Sequence, residues 1–260
     1  GWLGSMGLID FAGGTVVHVT AGVGALVTAL VIGQRKEFGQ TATLPHNLTM
    51  SFTGAAMLWV GWFGFNAGSA LAADGAAGMA LFVTHISAAT GALTWMVIEW
   101  LKFGKPSGLG AITGMVAGLA TITPASGSVG PAGGLLVGLA GGIICYYATT
   151  YLKQNLKIDD SLDVFPVHGV GGMVGTFLAG ILVSSNLGIF SGNGLADGMT
   201  IGSQVGVQVT GILATGIYTA IVTFILLKVV GALTSGIRIT DEQEQVGCDI
   251  TDHDEKGYSM

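Results

Sequence analysis

Two histidines sit where an ionisable ring is costly. His18 lies within DFAGGTVVHVTAGVGALVTALVIGQR (10–35), and from Asp10 to Gly33, 24 residues, no charge falls between the two ends. At ~1.5 Å rise per residue that stretch is long enough to cross a hydrocarbon core of ~30 Å. An imidazole inside such a run faces a cavity or a partner, where one ring nitrogen donates and the other accepts. His168 has a similar setting in DVFPVHGVGG (163–172). A single membrane histidine is as readily a hydrogen-bonded tie between helices. Two of them in matching contexts shift the balance away from that reading.

Trp62, Phe65 and Ser69 stand in GWFGFNAGSA (61–70) at spacings of three, four and seven, so on a helix they share a face. By spacing alone such aromatics are ordinary packing, although an aromatic face also suits a small cation. Asp10, at the end of its run, is either a direct ligand or a cap for its own helix. Asp163 starts the run that carries His168 and is expected to cap it. Glu99 reads as a packing or surface charge, His46 as solvated, His85 as structural, and His253 as part of the charged end.

The elements that must position these residues are membrane spans. Half of the 260 residues are hydrophobic, 9% are charged, mean hydropathy is +0.70 and 45 residues are glycine. A soluble domain has roughly a quarter of its residues charged, so this is an all-α integral membrane protein whose glycines serve close helix packing. Seven apolar runs are expected to span, at 10–33, 48–71, 79–101, 107–123, 129–152, 165–184 and 204–230, the fourth being short. No run alternates with period two, which argues against a barrel. Lys and Arg fall in alternate connections (Arg35 and Lys36; Lys102 and Lys105; Lys153 and Lys157; Arg238), and 72–78, 124–128 and 185–203 have none. That bias places Gly1 outside and the C-terminal end in the cytoplasm. The net charge of −6 lies largely in that end, and no nucleic-acid partner is expected. Cys145 and Cys248 form no disulfide framework, no cofactor is implied, and no signal peptide is visible.

Val17-His18-x-x-Ala21-Gly22 parallels Val167-His168-x-x-Gly171-Gly172, and by the topology above the two runs point in opposite directions. This is the pattern of an inverted repeat with a midplane site.

Asp10-Phe11-Ala12-Gly13-Gly14, then Val17, Ala21-Gly22, Ala25-Leu26 and Gly33-x-Arg35, resembles the signature of the ammonium transporter and Rhesus-type channel family. The segments 61–70 and 163–172 resemble two further motifs of that family in the expected order. The resemblance implies seven helices of an eleven-helix inverted-repeat fold, from the fifth helix onward. It makes 1–237 a partial transmembrane domain and 238–260 a cytoplasmic regulatory tail, with Cys248 where a leucine is more usual. It also implies a twin-histidine pore at His18 and His168, a phenylalanine gate at Phe65, a pore-lining Trp62, ammonium reception at Ser69, and an indirect structural role for Asp10. A homotrimer in the cell membrane and a PII-type signal protein at the tail are implied as partners. The helices that supply a second gate phenylalanine are missing from the match, and with Gly1 in first place the chain reads as a fragment.

The function expected is ammonium transport for nitrogen uptake: ammonium is recruited outside and deprotonated, and ammonia passes the histidines with or without its proton. Burying an intact ammonium-sized ion costs on the order of 20 kcal/mol in the idealised limit, which favours a neutral passenger. An electroneutral Rhesus-like channel and an ammonium sensor are the alternatives. An intramembrane hydrolase is disfavoured, since Ser69 lies outside any G-x-S-x-G context and no H-E-x-x-H occurs.

Overall fold

The computed structural model describes residues 1–40, 44–234 and 236–258. Within them the chain is helical, and an isolated bridge between Val129 and Gly192 is the extended pairing among the described residues. A short α1 (Trp2–Ser5) is followed by a π-helical turn, Gly14–Val19, that runs into α2 (Thr20–Ile32). Then come α3 (Leu48–Gly68), α4 (Gly75–Phe103), α5 (Gly108–Ile122) and α6 (Pro131–Gln154). A second π-helical turn, Phe165–Val170, opens α7 (Gly171–Leu182), and α8 (Ile201–Leu233) precedes the short α9 (Asp241–Val246) and α10 (Cys248–Thr251).

Local chemistry sets these boundaries. Asn47, Asp74, Ser107 and Thr200 cap α3, α4, α5 and α8 through their side chains. Pro131 opens α6 without forfeiting a hydrogen bond, and Gly104 ends α4 in the left-handed region at φ 78°.

Among the described residues, six helical segments are long and apolar enough to cross a membrane: Gly14–Ile32, Leu48–Gly68, Gly75–Phe103, Pro131–Gln154, Phe165–Leu182 and Ile201–Leu233. The fourth expected span, 107–123, is the shortest of the seven. It folds as α5, an apolar helix of 15 residues. Its physical stop is Pro124, after which the chain turns while still buried through Ser126.

Irregular backbone inside a membrane protein must find its hydrogen bonds within the protein. Here the segment before the first π turn lies along the segment after α5, with Phe11 N–H donating to Pro124 O (3.0 Å) and Ala12 N–H to Thr123 O (3.3 Å). From α8, Gln208 accepts from Ile9 N–H (2.9 Å) and donates to Ile9 O (2.7 Å) and Thr176 O (2.9 Å). Gln204 donates to Gly7 O (2.9 Å).

The two histidine-bearing segments cross at a reciprocal glycine contact. A Cβ on Gly22 would lie 2.3 Å from the Gly169 backbone, and one on Gly172 would lie 2.6 Å from Gly14 O and 2.9 Å from His18 Cβ. Only hydrogen fits at that crossing, and the contact sets the histidines edge to edge.

Candidate functional site

Each histidine sits in a π turn that a carboxylate opens. Asp10 accepts from Thr15 N–H (2.9 Å) and Val16 N–H (3.1 Å), and His18 is in the turn so held. Asp160 accepts from Val164 N–H (3.1 Å) and Phe165 N–H (2.7 Å), and His168 is in that turn. The cap expected of Asp163 is therefore made by Asp160. Asp163, at φ 57°, turns its carboxylate to Lys153 instead, 2.7 Å away, since a largely buried charge gains more from a cation.

The rings meet between the crossed segments, His18 Nδ1 lying 3.2 Å from His168 Nδ1. The indole of Trp62 stacks on His18, with centroids 5.2 Å apart and planes 19° apart, and lies 6.4 Å from the His168 centroid. Phe65 is 5.9 Å from His18 and 5.5 Å from Trp62. Together with Val17, Ala21, Leu58, Gly61 and Val164 these four side chains line a cavity of about 480 Å³. His18 and Trp62 are buried, His168 is half-buried and Phe65 is exposed along it.

On the far side of the rings is Thr123, fully buried. Its Oγ1 accepts from Trp62 Nε1 (2.9 Å), lies 3.3 Å from His18 Nε2, and donates to Leu119 O (2.7 Å). Such a site is an apolar cavity with a few convergent polar groups, able to hold a small molecule that offers or accepts an N–H.

The sequence model described as Ammonium Transporter Family matches residues 1–258. The chain belongs to the ammonium transporter family. It is 43% identical over 258 residues to the ammonium transporter of Bacillus subtilis, covering 99% of this chain and 63% of the relative. Against ammonium transporter Amt1 of Archaeoglobus fulgidus it is 43% identical over 259 residues, covering 100% of this chain and 64% of the relative. Among solved structures it resembles Saccharomyces cerevisiae Mep2 at TM-score 0.82 and 38% identity, over 94% of this chain and 57% of that one. It also resembles a structure named Sensor Amt Protein at TM-score 0.88 and 30% identity, over 97% and 62%. The chain thus spans a little under two thirds of the length of these members of the ammonium transporter family. The curated relatives are named as transporters, not enzymes.

Of the residues expected at an ammonium transporter site, His18, His168, Trp62 and Phe65 come together around the cavity. Ser69 does not. It follows the last residue of α3, one turn beyond Phe65, and its hydroxyl bonds back to Phe65 O (2.9 Å). Asp10 holds the backbone N–H groups of Thr15 and Val16. His85 stacks on Trp59 (5.3 Å) away from the pair, and Glu99 ties Trp95 to the start of α5 through Ser107. His46 stacks on Tyr258 (4.9 Å), so the charged end reaches back to α3. Residues 259 and 260 of the expected tail lie outside the described residues.

Thr123, Asp160 and Gln208 were not legible as site residues. A trace of Asp160 was there, since it precedes His168 by eight positions as Asp10 precedes His18. Gln208, a polar side chain in an apolar run, was also a signal. Nothing in sequence marks Thr123, which lies 105 positions from His18.

Proposed function

We propose that this chain forms the histidine-lined part of a pathway that recruits ammonium, strips its proton and conducts ammonia across the cell membrane. The observation that carries the reading is the edge-to-edge pair of His18 and His168 at 3.2 Å, walled by Trp62 and Phe65 in an otherwise apolar cavity. Such a path has too few polar groups to replace the hydration shell of an ion, yet it offers a nitrogen base and donor to a neutral hydride. Phe65 gates the outer mouth, Trp62 offers its face to the cation, and Ser69 receives ammonium in the vestibule. Asp10 and Asp163 are structural near the site. Potassium has no proton to surrender and is rejected.

The chain's first residues face outward and its end faces the cytoplasm, so residues 238–260 form a regulatory tail below the transmembrane part, 1–237. The complete protein assembles as a homotrimer and docks a PII-type signal protein there. Ammonium and potassium currents on lipid bilayers, normalised to folded protein, test the core of this reading. His18→Ala and His168→Ala are each expected to impair ammonium transport and admit potassium, and the double variant to be little worse than the poorer single one. Coupled residues of this kind show interaction energies of ~0.5–3 kcal/mol. Additive losses with potassium still excluded overturn the shared-proton pair. Transport without current leaves the electroneutral channel in its place.

A second reading, ammonium sensing, has the similarity to Sensor Amt Protein behind it. Binding of a signalling partner that depends on ammonium, with no flux, distinguishes it.

A further inference from the structure

The hydrogen count around Thr123 decides which histidine presents a bare nitrogen to the cavity. A threonine hydroxyl has one hydrogen to give and two lone pairs to fill. Its hydrogen goes to Leu119 O at 2.7 Å, the shortest of the three contacts and one that a carbonyl can only accept. The Trp62 indole can only donate, so Nε1–H fills one lone pair at 2.9 Å. What remains at Oγ1 is one lone pair, with His18 Nε2 at 3.3 Å, so His18 carries its hydrogen on Nε2. A neutral imidazole with Nε2–H has a bare Nδ1. His168 Nδ1, 3.2 Å away, must then be the donor of the shared bond. That leaves Nε2 of His168 without a hydrogen, on a ring that lines the cavity.

We infer that Thr123 is a positioning residue that imposes one proton order on the histidine pair, with His168 Nε2 as the nitrogen that accepts an N–H from the substrate. The order runs from Thr123 as acceptor, through His18 Nε2–H and His18 Nδ1, to His168 Nδ1–H and the bare His168 Nε2. His18 has both nitrogens engaged and acts on the passenger only through His168. A proton accepted from ammonium therefore lands first on His168 Nε2, giving an imidazolium there and neutral ammonia beside it. Its onward passage needs the His168 Nδ1 hydrogen to shift to His18 Nδ1, after which His18 Nε2 can release only toward Thr123. Thr123 has no free lone pair to receive it unless its own hydrogen turns away from Leu119 O. The buried side of the pair thus works as a stop, and it holds the receiving nitrogen open.

This rests on the proposed function, but its test reads the rings directly. Ring nitrogen NMR of the intact, histidine-labelled transporter in bilayers, the pair being identified by coupling between the two Nδ1 atoms, should show His18 protonated at Nε2 and His168 at Nδ1. The reverse assignment overturns the inference. Thr123→Ser keeps the hydroxyl and should keep the order, whereas Thr123→Val removes both lone pairs and should leave both orders detectably populated. A single unchanged order in Thr123→Val overturns the inference as well. If that variant does not fold, the unaltered protein and Thr123→Ser still decide. Failure of the transport reading shows elsewhere, as a His168→Ala variant with normal ammonium current and normal potassium exclusion.

Discussion

Asp10 and Asp160 stand in the same relation to the two histidines. Each lies eight residues ahead of one, and each spreads its two carboxylate oxygens over two consecutive backbone N–H groups at the start of the π turn that carries it. A π turn is an uncommon, wider winding, and hydrogen bonds to an ionised acceptor are among the stronger ones available to hold it. Asp160 is 6% exposed, so its acceptors are not replaced by water when they are lost. Asp160→Ala should therefore cost ~2 kcal/mol, at the upper end for a lost cap, while Asp160→Asn, which keeps one acceptor, should cost less. Unfolding in lipid measures both. Equal stability of the three proteins would show that the cap does not hold the turn.

Phe65 contacts the cavity on one side and is 39% exposed, unlike a packed core phenylalanine, whose removal costs ~3–5 kcal/mol. Phe65→Ala in the complete protein should insert and assemble normally, with conductance or ammonium selectivity changed. A variant that fails to insert or to form its oligomer would make Phe65 a packing residue.

The charged end is tied to the transmembrane helices at two places. Glu244 takes both Arg238 Nη2 (2.8 Å) and Lys36 N–H (2.7 Å), and Arg238 reaches Ile32 O (3.1 Å). Further on, Tyr258 stacks on His46 and its hydroxyl accepts from Asn47 Nδ2 (2.5 Å), while Asn47 Oδ1 caps α3 at Met50 N–H (2.9 Å). An aromatic contact of this sort is worth ~0.5–1.5 kcal/mol. Tyr258→Ala should raise hydrogen exchange over residues 48–52 with little change elsewhere, and removal of 240–260 should alter transport. Unchanged exchange and unchanged transport would leave the end a passive, solvated segment.

Arg35 binds Asp159 by Nε at 2.8 Å, by Nη2 at 2.6 Å and by its backbone N–H at 2.9 Å. Burial pushes the Asp159 carboxyl up, yet the Arg35 hydrogen bonds and charge outweigh it and hold the group below its ordinary value. A depressed carboxylate adds stability above its unfolded pKa of ~3.9, and the contribution disappears as pH falls through the lower folded value. Arg35 is 41% exposed, which keeps the effect near ~1 kcal/mol. Asp159→Asn should be destabilised at neutral pH and should lose less than the unaltered protein below about pH 4. Parallel acid profiles for the two proteins would remove the pair from the account.

Helical class, membrane residence and the two histidines were legible in the amino-acid sequence because they follow from local rules. Long uncharged runs of small and apolar residues have few alternatives to spanning helices, and an imidazole in such a run is conspicuous. The aromatic face of Trp62 and Phe65 followed from helical spacing alone. What the chain folds around those residues was decided in three dimensions. How the backbone turns at Pro124 after α5, while still buried, was decided there. Whether Asp163 or Asp160 opens the second π turn depended on Lys153 reaching Asp163 from α6. Thr123, which meets His18 and Trp62 from 105 and 61 positions away, could not be told from the other threonines near it, because a hydroxyl takes its meaning from the donors that tertiary packing brings within 3.3 Å. Sequence spacing reports faces of one helix, whereas the proton order of a ring pair depends on a third element that packs behind it.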